Sequence, residues 1–238
     1  MASAPRAPSP WPRAGAEVIV SGRDEARGAE VTRKIEEHGG VAAFRRCDVG
    51  DTEAVREFAA GVEGDFGPVD ILVNSAGIFR GSKAVDDSLE DDLRSMWEVN
   101  VAGLLIMCQE FGRRMIERKH GRIVNLASVS GLRGHREGAA YGAGKGAVVQ
   151  LTRMLAVEWI KDGVNVNCIA PSDFDTPMNA EYTADPEYLE YLAGVVPAER
   201  VGRPEELDAA VLYLVSAMAK MVVGETLVVD GGMTMSCG

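Results

Sequence analysis

Tyr141 and Lys145 stand four residues apart in a segment with helical spacing. A helix would carry both side chains on one face. A phenol has a pKa of about 10 and exchanges protons poorly at neutral pH. An ammonium beside it favours the phenolate and makes it a usable acid or base. Lowering that pKa by about 3 units takes roughly 4 kcal/mol of interaction. Taken alone, the pair also fits a surface tyrosine beside a solvated lysine. The surroundings shift the balance. Ser128 lies thirteen residues before Tyr141, just past the apolar run RIVNL. Asn100 sits in EVNVAG, and Asn74-Ser75-Ala76-Gly77 follows VDILVN. In an open parallel sheet, ligands gather at the carboxyl ends of strands, and these groups follow such runs.

The rest of the chain supplies the strands and helices that this chemistry needs. Short apolar runs at 17–21, 41–47, 69–74, 122–126, 164–170 and 225–229 read as strands. Helical spacing marks 24–38, 51–65, one or two helices within 86–119, then 141–161 and 204–219. Asp51 is a candidate N-cap, and Pro204 suits a first turn. The alternation predicts a doubly wound, mainly parallel α/β sheet covered on both faces. Residues 177–200 lack a clear period and read as a long loop, a candidate lid. Residues 1–14, MASAPRAPSPWPRA, carry four prolines and are expected to be disordered, leaving 15–238 as a single domain.

Composition narrows the function classes. Of 238 residues, 46% are hydrophobic and 26% charged, enough apolar material for a core and too much for wholesale disorder. The net charge of −11 disfavours binding to phosphate backbones. There is no apolar run of about 18 residues, the length expected of a membrane-spanning helix. The start lacks the apolar core of a secretory signal. The four cysteines, Cys47, Cys108, Cys168 and Cys237, are far apart, as are His38, His120 and His135. No metal site is expected, and reduced thiols in a cytoplasmic protein are.

The joint pattern resembles the short-chain dehydrogenase/reductase family. It is carried by CDV (47–49), NSAG (74–77), Asn100, Ser128 with Tyr141 and Lys145, PSDFDT (171–176) and VDGG (229–232). The order and spacing hold from about residue 15 to 235. The resemblance implies a Rossmann-type three-layer α/β/α sandwich and a nicotinamide-dependent carbonyl reductase or alcohol dehydrogenase, possibly acting on 3-oxoacyl groups. Tyr141 would be the general acid or base. Ser128 would position the substrate oxygen, Lys145 would lower the Tyr141 pKa and hold the nicotinamide ribose, and Asn100 would hold a relay water. Asp48 and Val49 would lie at the adenine, and Asn74, Ala76 and Gly77 would line the cofactor groove. Pro171 and Thr176 would lie at the nicotinamide. Family members are commonly tetramers or dimers, so a homotetramer or homodimer is expected beside a small-molecule alcohol or ketone substrate. Two departures stand out: Ser75 where the family usually has Asn, and Ser172 where it usually has Gly.

Cofactor preference is read at the end of EVIVSGRD. An NAD-preferring member has an acid there for the ribose 2′-hydroxyl; Gly22 and Arg23 stand here instead. Arg23 can meet a 2′-phosphate, which favours NADP(H) and leaves NAD(H) open. A competing assignment has Arg23 simply opening a helix capped by Asp24. The family's first strand and glycine-rich turn are not in the sequence, and EVIVS aligns with the second strand. The alternative makes EVIVS the first strand and SGRDEARG the turn, but Gly22 and Gly28 are widely spaced for a phosphate cradle. Without that turn, cofactor affinity is expected to fall severely. The expectation is a truncated or mis-started form of an active reductase, with a frameshift near Arg13. The second reading is a catalytically silent subunit that binds cofactor weakly or not at all.

Overall fold

The computed structural model describes residues 15–236; the proline-rich 1–14 segment and Cys237 lie outside the described residues. Strand β1 (Glu17–Gly22) pairs in parallel with β2 (Val41–Arg46), with Glu17 opposite Val41 and Gly22 opposite Arg46. Helix α1 (Glu25–Glu37) connects them. Strands β3 (Ile71–Asn74), β4 (Gly121–Leu126), β5 (Val164–Pro171) and β6 (Thr226–Val229) form a second parallel sheet in that order. The doubly wound α/β architecture is as expected, but among the described residues its sheet is in two pieces. The facing edges of β1 and β3 are not hydrogen-bonded to each other. A cavity of about 340 Å³ is lined by Ile19 and Ser21 on one side and Val73 and Asn74 on the other.

The helices follow from local chemistry. Asp24 caps α1 by accepting from the Arg27 N–H at 3.0 Å. Asp51 caps α2 (Thr52–Phe66) as expected, accepting from Glu53 and Ala54. The 86–119 region splits into α3 (Leu89–Trp97), a π-helical stretch Glu98–Gly103, and α4 (Leu104–Arg118). Helix α5 (Ala139–Trp159) begins two residues earlier than its periodicity suggested. The 177–200 segment, expected as a loop, holds the short α6 (Ala180–Thr183) and α7 (Pro186–Val195). Asp185 caps α7 through the Glu187 N–H at 2.9 Å, Pro186 presets its first turn, and Leu192 and Val196 pack with Val129 and Met233. Its buried face is narrow, so the apolar period was weak in the sequence. Helix α8 (Glu205–Val215) stops short of residue 219 and is followed by a single tight turn at Ala217–Ala219.

The core lies on both faces of the four-stranded sheet. On one face, Phe111 and Met115 of α4 and Val148 and Ala156 of α5 pack with Ile123, Val164 and Val166. On the other, Val211 and Leu214 of α8 meet Val124 and Ile169. Seven of the eight residues of β5 are buried. No residue of β1 is buried.

Candidate active site

Three neighbouring carboxyl ends of strands build the site. After β4 the chain turns at Ser128, whose Oγ accepts from the Ser130 N–H at 3.1 Å and so caps a short 3₁₀ turn, Val129–Gly131. This fixes the Ser128 hydroxyl beside Tyr141 in the first turn of α5, where it acts to lower the phenol pKa. Lys145 follows one turn later, its Nζ 5.7 Å from the centre of the Tyr141 ring. Gly131 lets the turn lie against the α5 backbone at Lys145, where a Cβ would collide.

Lys145 is buried and donates to the Leu126 carbonyl at 2.7 Å. Among the described residues no carboxylate pairs with it. Burial pulls its pKa down to about 8. Burial pushes the Tyr141 pKa up to about 12, opposed by the Ser128 hydrogen bond and reinforced by the Asp173 charge. Burial thus pushes both groups towards neutrality. A protonated phenol beside Ser128 is a proton donor suited to a carbonyl oxygen.

Asn100 sits in the π-helical stretch, a distortion often found at functional sites. It is 1% exposed. Its Oδ1 accepts from the Ile78 N–H and its Nδ2 donates to the Ile78 carbonyl, both at 2.8 Å. The amide thus clamps the loop after β3. At Gly77 a Cβ would stand 3.2 Å from Asn100 Oδ1 and 3.8 Å from Lys145 Nζ. Asn100, Ser128, Tyr141 and Lys145 are therefore linked around one site.

The cofactor candidates divide. Ala76 and Val49 line the cleft between the two sheets, and Gly77 lies beside Asn100 and Lys145. Arg23, just past β1, and Asp48, just before Val49, meet with Nη1 and Oδ2 3.8 Å apart. Pro171 closes β5, paired with Val229 of β6, and Thr176 lies half-buried beyond it. Asn74 lines the cleft too, but its side-chain amide points into the core, donating to Asn125 Oδ1 at 2.9 Å and to Cys108 Sγ at 3.2 Å.

The nicotinamide half of a dinucleotide fits these residues. Lys145 is a buried ammonium with a carbonyl partner and no carboxylate, which leaves donors for ribose hydroxyls. The β1–α1 junction does not act as a phosphate turn. Asp24 occupies the helix N-terminus, and Gly28 lies under the Phe44 ring. The alternative assignment of SGRDEARG is thereby excluded.

Several neighbours escaped sequence reasoning. Phe79 meets Tyr141 edge to face at 5.0 Å, and from it Tyr182, Tyr188 and Tyr191 continue as an aromatic series across the lid helices. Tyr188 also faces Asp173, and burial raises the pKa of both groups. Ser130 and His135 form a polar wall beside Ser128. Tyr182, Tyr188 and Tyr191 stand close together within the 177–200 stretch, but nothing in the spacing ties Phe79, Asp173 or His135 to them. Among the described residues no group of acidic, cysteine or histidine side chains could hold a metal ion. No helix there is long and apolar enough to cross a membrane.

Comparison with known proteins agrees with this geometry. A family model described as enoyl-(acyl carrier protein) reductase matches residues 11–234. A galactitol 2-dehydrogenase (L-tagatose-forming) of Cereibacter sphaeroides is 42% identical over 227 residues, covering 93% of this chain and 86% of its own. A 3beta-hydroxysteroid dehydrogenase of Eggerthella lenta is 40% identical over 226 residues, covering 94% and 86%. The crystal structure of a gluconate 5-dehydrogenase from Burkholderia cenocepacia, in complex with NADP and tartrate, superposes with a TM-score of 0.88 at 35% identity. It covers 94% of this chain and 88% of that one. Matches spanning both partners to this extent argue against the silent-subunit reading. The chain belongs to the short-chain dehydrogenase/reductase family, whose members are NAD(P)-dependent oxidoreductases of alcohols and ketones.

Proposed function

We propose that the chain is an NADP(H)-dependent dehydrogenase that interconverts a secondary alcohol and a ketone on a small polyhydroxylated substrate. The observation that carries this is Tyr141 beside Ser128, with Lys145 one helical turn away and buried. In this reading Tyr141 exchanges the proton of the substrate oxygen, Ser128 orients that oxygen, and Lys145 holds the nicotinamide ribose. Asn100 fixes the Ile78 backbone at the floor of the site. The nicotinamide supplies the hydride, which no side chain can. Arg23 and Asp48 form the outer end of the cofactor groove, and the guanidinium favours a 2′-phosphate. Val49, Asn74, Ala76, Gly77, Pro171 and Thr176 line the groove between those ends.

The substrate class follows from the wall facing Tyr141. Ser130, His135, Asp173 and Tyr188 offer hydroxyl, imidazole and carboxylate groups, which suit a polyol better than an acyl chain. The lid carries Glu181, Asp185, Glu187 and Glu190, which repel acidic carriers. Galactitol-type relatives and a neighbour holding tartrate fit the same choice. The aromatic series favours a second reading, an apolar steroid-like alcohol, in line with the 3beta-hydroxysteroid relative. A homodimer or homotetramer is expected through α4 and α5, since Met154 and Val157 are 59% and 77% exposed on α5. A cytoplasmic location suits Cys47, Cys108 and Cys168, all free and buried.

The test is NADPH formation by this chain, followed at 340 nm (roughly the nicotinamide absorbance band), with galactitol and a 3β-hydroxysteroid as alternatives. Turnover of the polyol alone supports the first reading, and turnover of the steroid alone the second. No turnover with either, despite NADPH binding, overturns both.

A further inference from the structure

One ring touches both Tyr141 and the lid. The centre of Phe79 is 5.0 Å from that of Tyr141, with the ring planes at 85°, an edge-to-face pair. It is 6.0 Å from the centre of Tyr182 on α6, with the planes at 66°. We propose that Phe79 is a positioning residue that seats the lid through Tyr182 and, by the same ring, sets the Tyr141 phenol. The proposal rests on the oxidoreductase reading above, in which Tyr141 exchanges the substrate proton.

The backbone that carries Phe79 is pinned at both ends. On one side Asn100 holds the N–H and the carbonyl of Ile78, both at 2.8 Å. On the other, the buried Ser82 forms a parallel bridge to Gly138, directly before α5. Only Phe79, Arg80 and Gly81 lie between these anchors. Arg80 adds a tie to α3, with Nη1 3.8 Å from Asp92 Oδ1. The span is thus fastened to the helix that carries Tyr141, and the pair of rings has little slack. A Cβ at Gly81 would stand 3.7 Å from Phe79 Cζ and 3.8 Å from Tyr182 Oη, so the lid tyrosine lies over this span.

The lid itself is held unevenly. Helix α7 is anchored by Leu192, buried with Val129 and Met233. Helix α6 has four residues and none of them is buried. Asn179 ties its start to the Phe174 carbonyl at 3.1 Å. Beyond that, Tyr182 carries its ring contacts, to Phe79 on the body and to Tyr188 on α7, 5.4 Å away. An aromatic pair of this kind changes an equilibrium by about two- to twelvefold. That is enough to hold one helical turn down and small enough to let it open. With α6 closed, Phe79 is clamped between Tyr182 and Tyr141 and covers part of the phenol ring, in line with the burial that raises the Tyr141 pKa. With α6 open, Phe79 loses one of its two ring partners and can turn away from Tyr141. Lid position is in this way transmitted to the group that handles the proton, through a side chain that need not touch the reacting atoms.

Two measurements on the full chain need no turnover. The chain has five tyrosines, so the ring ¹H–¹³C signals of Tyr141 can be assigned as those lost in Tyr141→Phe. Tyr182→Ala is expected to shift these signals in the parent but not in a Phe79→Leu background. No shift in the parent, or the same shift in both backgrounds, overturns the proposal. Hydrogen exchange of the Thr183 and Ala184 amides, bonded to the Asn179 and Ala180 carbonyls, reads the lid. Phe79→Leu and Tyr182→Ala should each speed it by about two- to twelvefold, and the double variant no further. Tyr182→Phe keeps the ring and should keep the slow exchange. Additive effects, or no effect, overturn the proposal. Should Phe79→Leu lose the protection of the β5 amides, Tyr182→Ala decides alone, and unmoved Tyr141 signals overturn it. A third measurement is steady-state oxidation. The KM for the alcohol should rise by about two- to twelvefold in both single variants, with the KM for the oxidised cofactor within about twofold. Equal rises in both KM values would make Phe79 merely structural and overturn the assignment. Parent chain that binds NADPH but turns over no alcohol defeats the oxidoreductase reading instead, and the ring signals still decide whether Phe79 couples the lid to Tyr141.

Discussion

The two sheets of this molecule differ in how they are held and in what they hold. The four-stranded sheet is packed on both faces, and its strand β5 is buried almost end to end. It carries the Ser128, Tyr141 and Lys145 group. The two-stranded sheet has no buried residue in β1, and β3 faces it with Ile71 and Val73 each 37% exposed. It carries Arg23 and Asp48, the groups that would meet the outer half of a cofactor. The proposed chemistry thus sits where packing fixes side chains closely, and the proposed cofactor anchoring where packing is loose.

The largest expected effect falls on the packed side. Tyr141→Phe is expected to lower kcat by about 10²–10⁴ with little change in Tm; a kcat within tenfold of the parent would remove Tyr141 from the chemistry. Lys145→Met should abolish turnover yet raise the melting temperature at pH 7. The folded pKa of Lys145, about 8, lies below its ordinary value, so the folded chain bears a charge it would rather not bury. Between about pH 8 and 10.5 the unfolded chain binds the extra proton, so the parent gains stability as pH rises. The thermal advantage of the variant should shrink over that window, and a constant difference would contradict the assignment.

On the loose side, Arg23→Glu is expected to raise the KM for NADPH by about tenfold and to leave NADH nearly untouched, from the loss of one charge-assisted phosphate contact worth roughly 1.5–3 kcal/mol. Equal loss with both cofactors would mean that Arg23 acts through Asp48 rather than through the phosphate. Hydrogen exchange gives a direct comparison of the two sheets. Amides of β5 should exchange only through global opening and those of β1 through local opening, at least about tenfold faster. Equal protection would show that the two sheets open together. The smallest effect concerns Glu206, which Arg200 and the Arg203 N–H hold well below the usual carboxylate range, at about 2. Its contribution is present above the unfolded pKa near 4.3 and is lost as pH falls towards 2. Glu206→Gln should cost less than about 1 kcal/mol at pH 7 because the pair is largely in solvent, and the cost should disappear near pH 2.

Much of this was legible in the residues. The strand and helix alternation, the Asp51 cap and the grouping of Asn100, Ser128, Tyr141 and Lys145 follow from periodicity and spacing. Three things were not legible. Helix α7 was hidden because only Leu192 is fully buried on it, so its apolar period is faint. The side chain of Asn74 turned inward because Asn125 and Cys108 offer it buried partners from elements far along the chain. The protonated state of Tyr141 depends on how much water the folded site excludes, a quantity that no four-residue spacing encodes.

The cleft between β1 and β3 also bears on how the chain behaves in company. Among the described residues, no strand takes up the backbone amides and carbonyls of the two facing edges. Such edges are templates for another extended segment. Concentrated solutions of this chain should therefore lose monodispersity through strand addition, and a short apolar peptide that seats itself in the cleft should act as a solubilising agent.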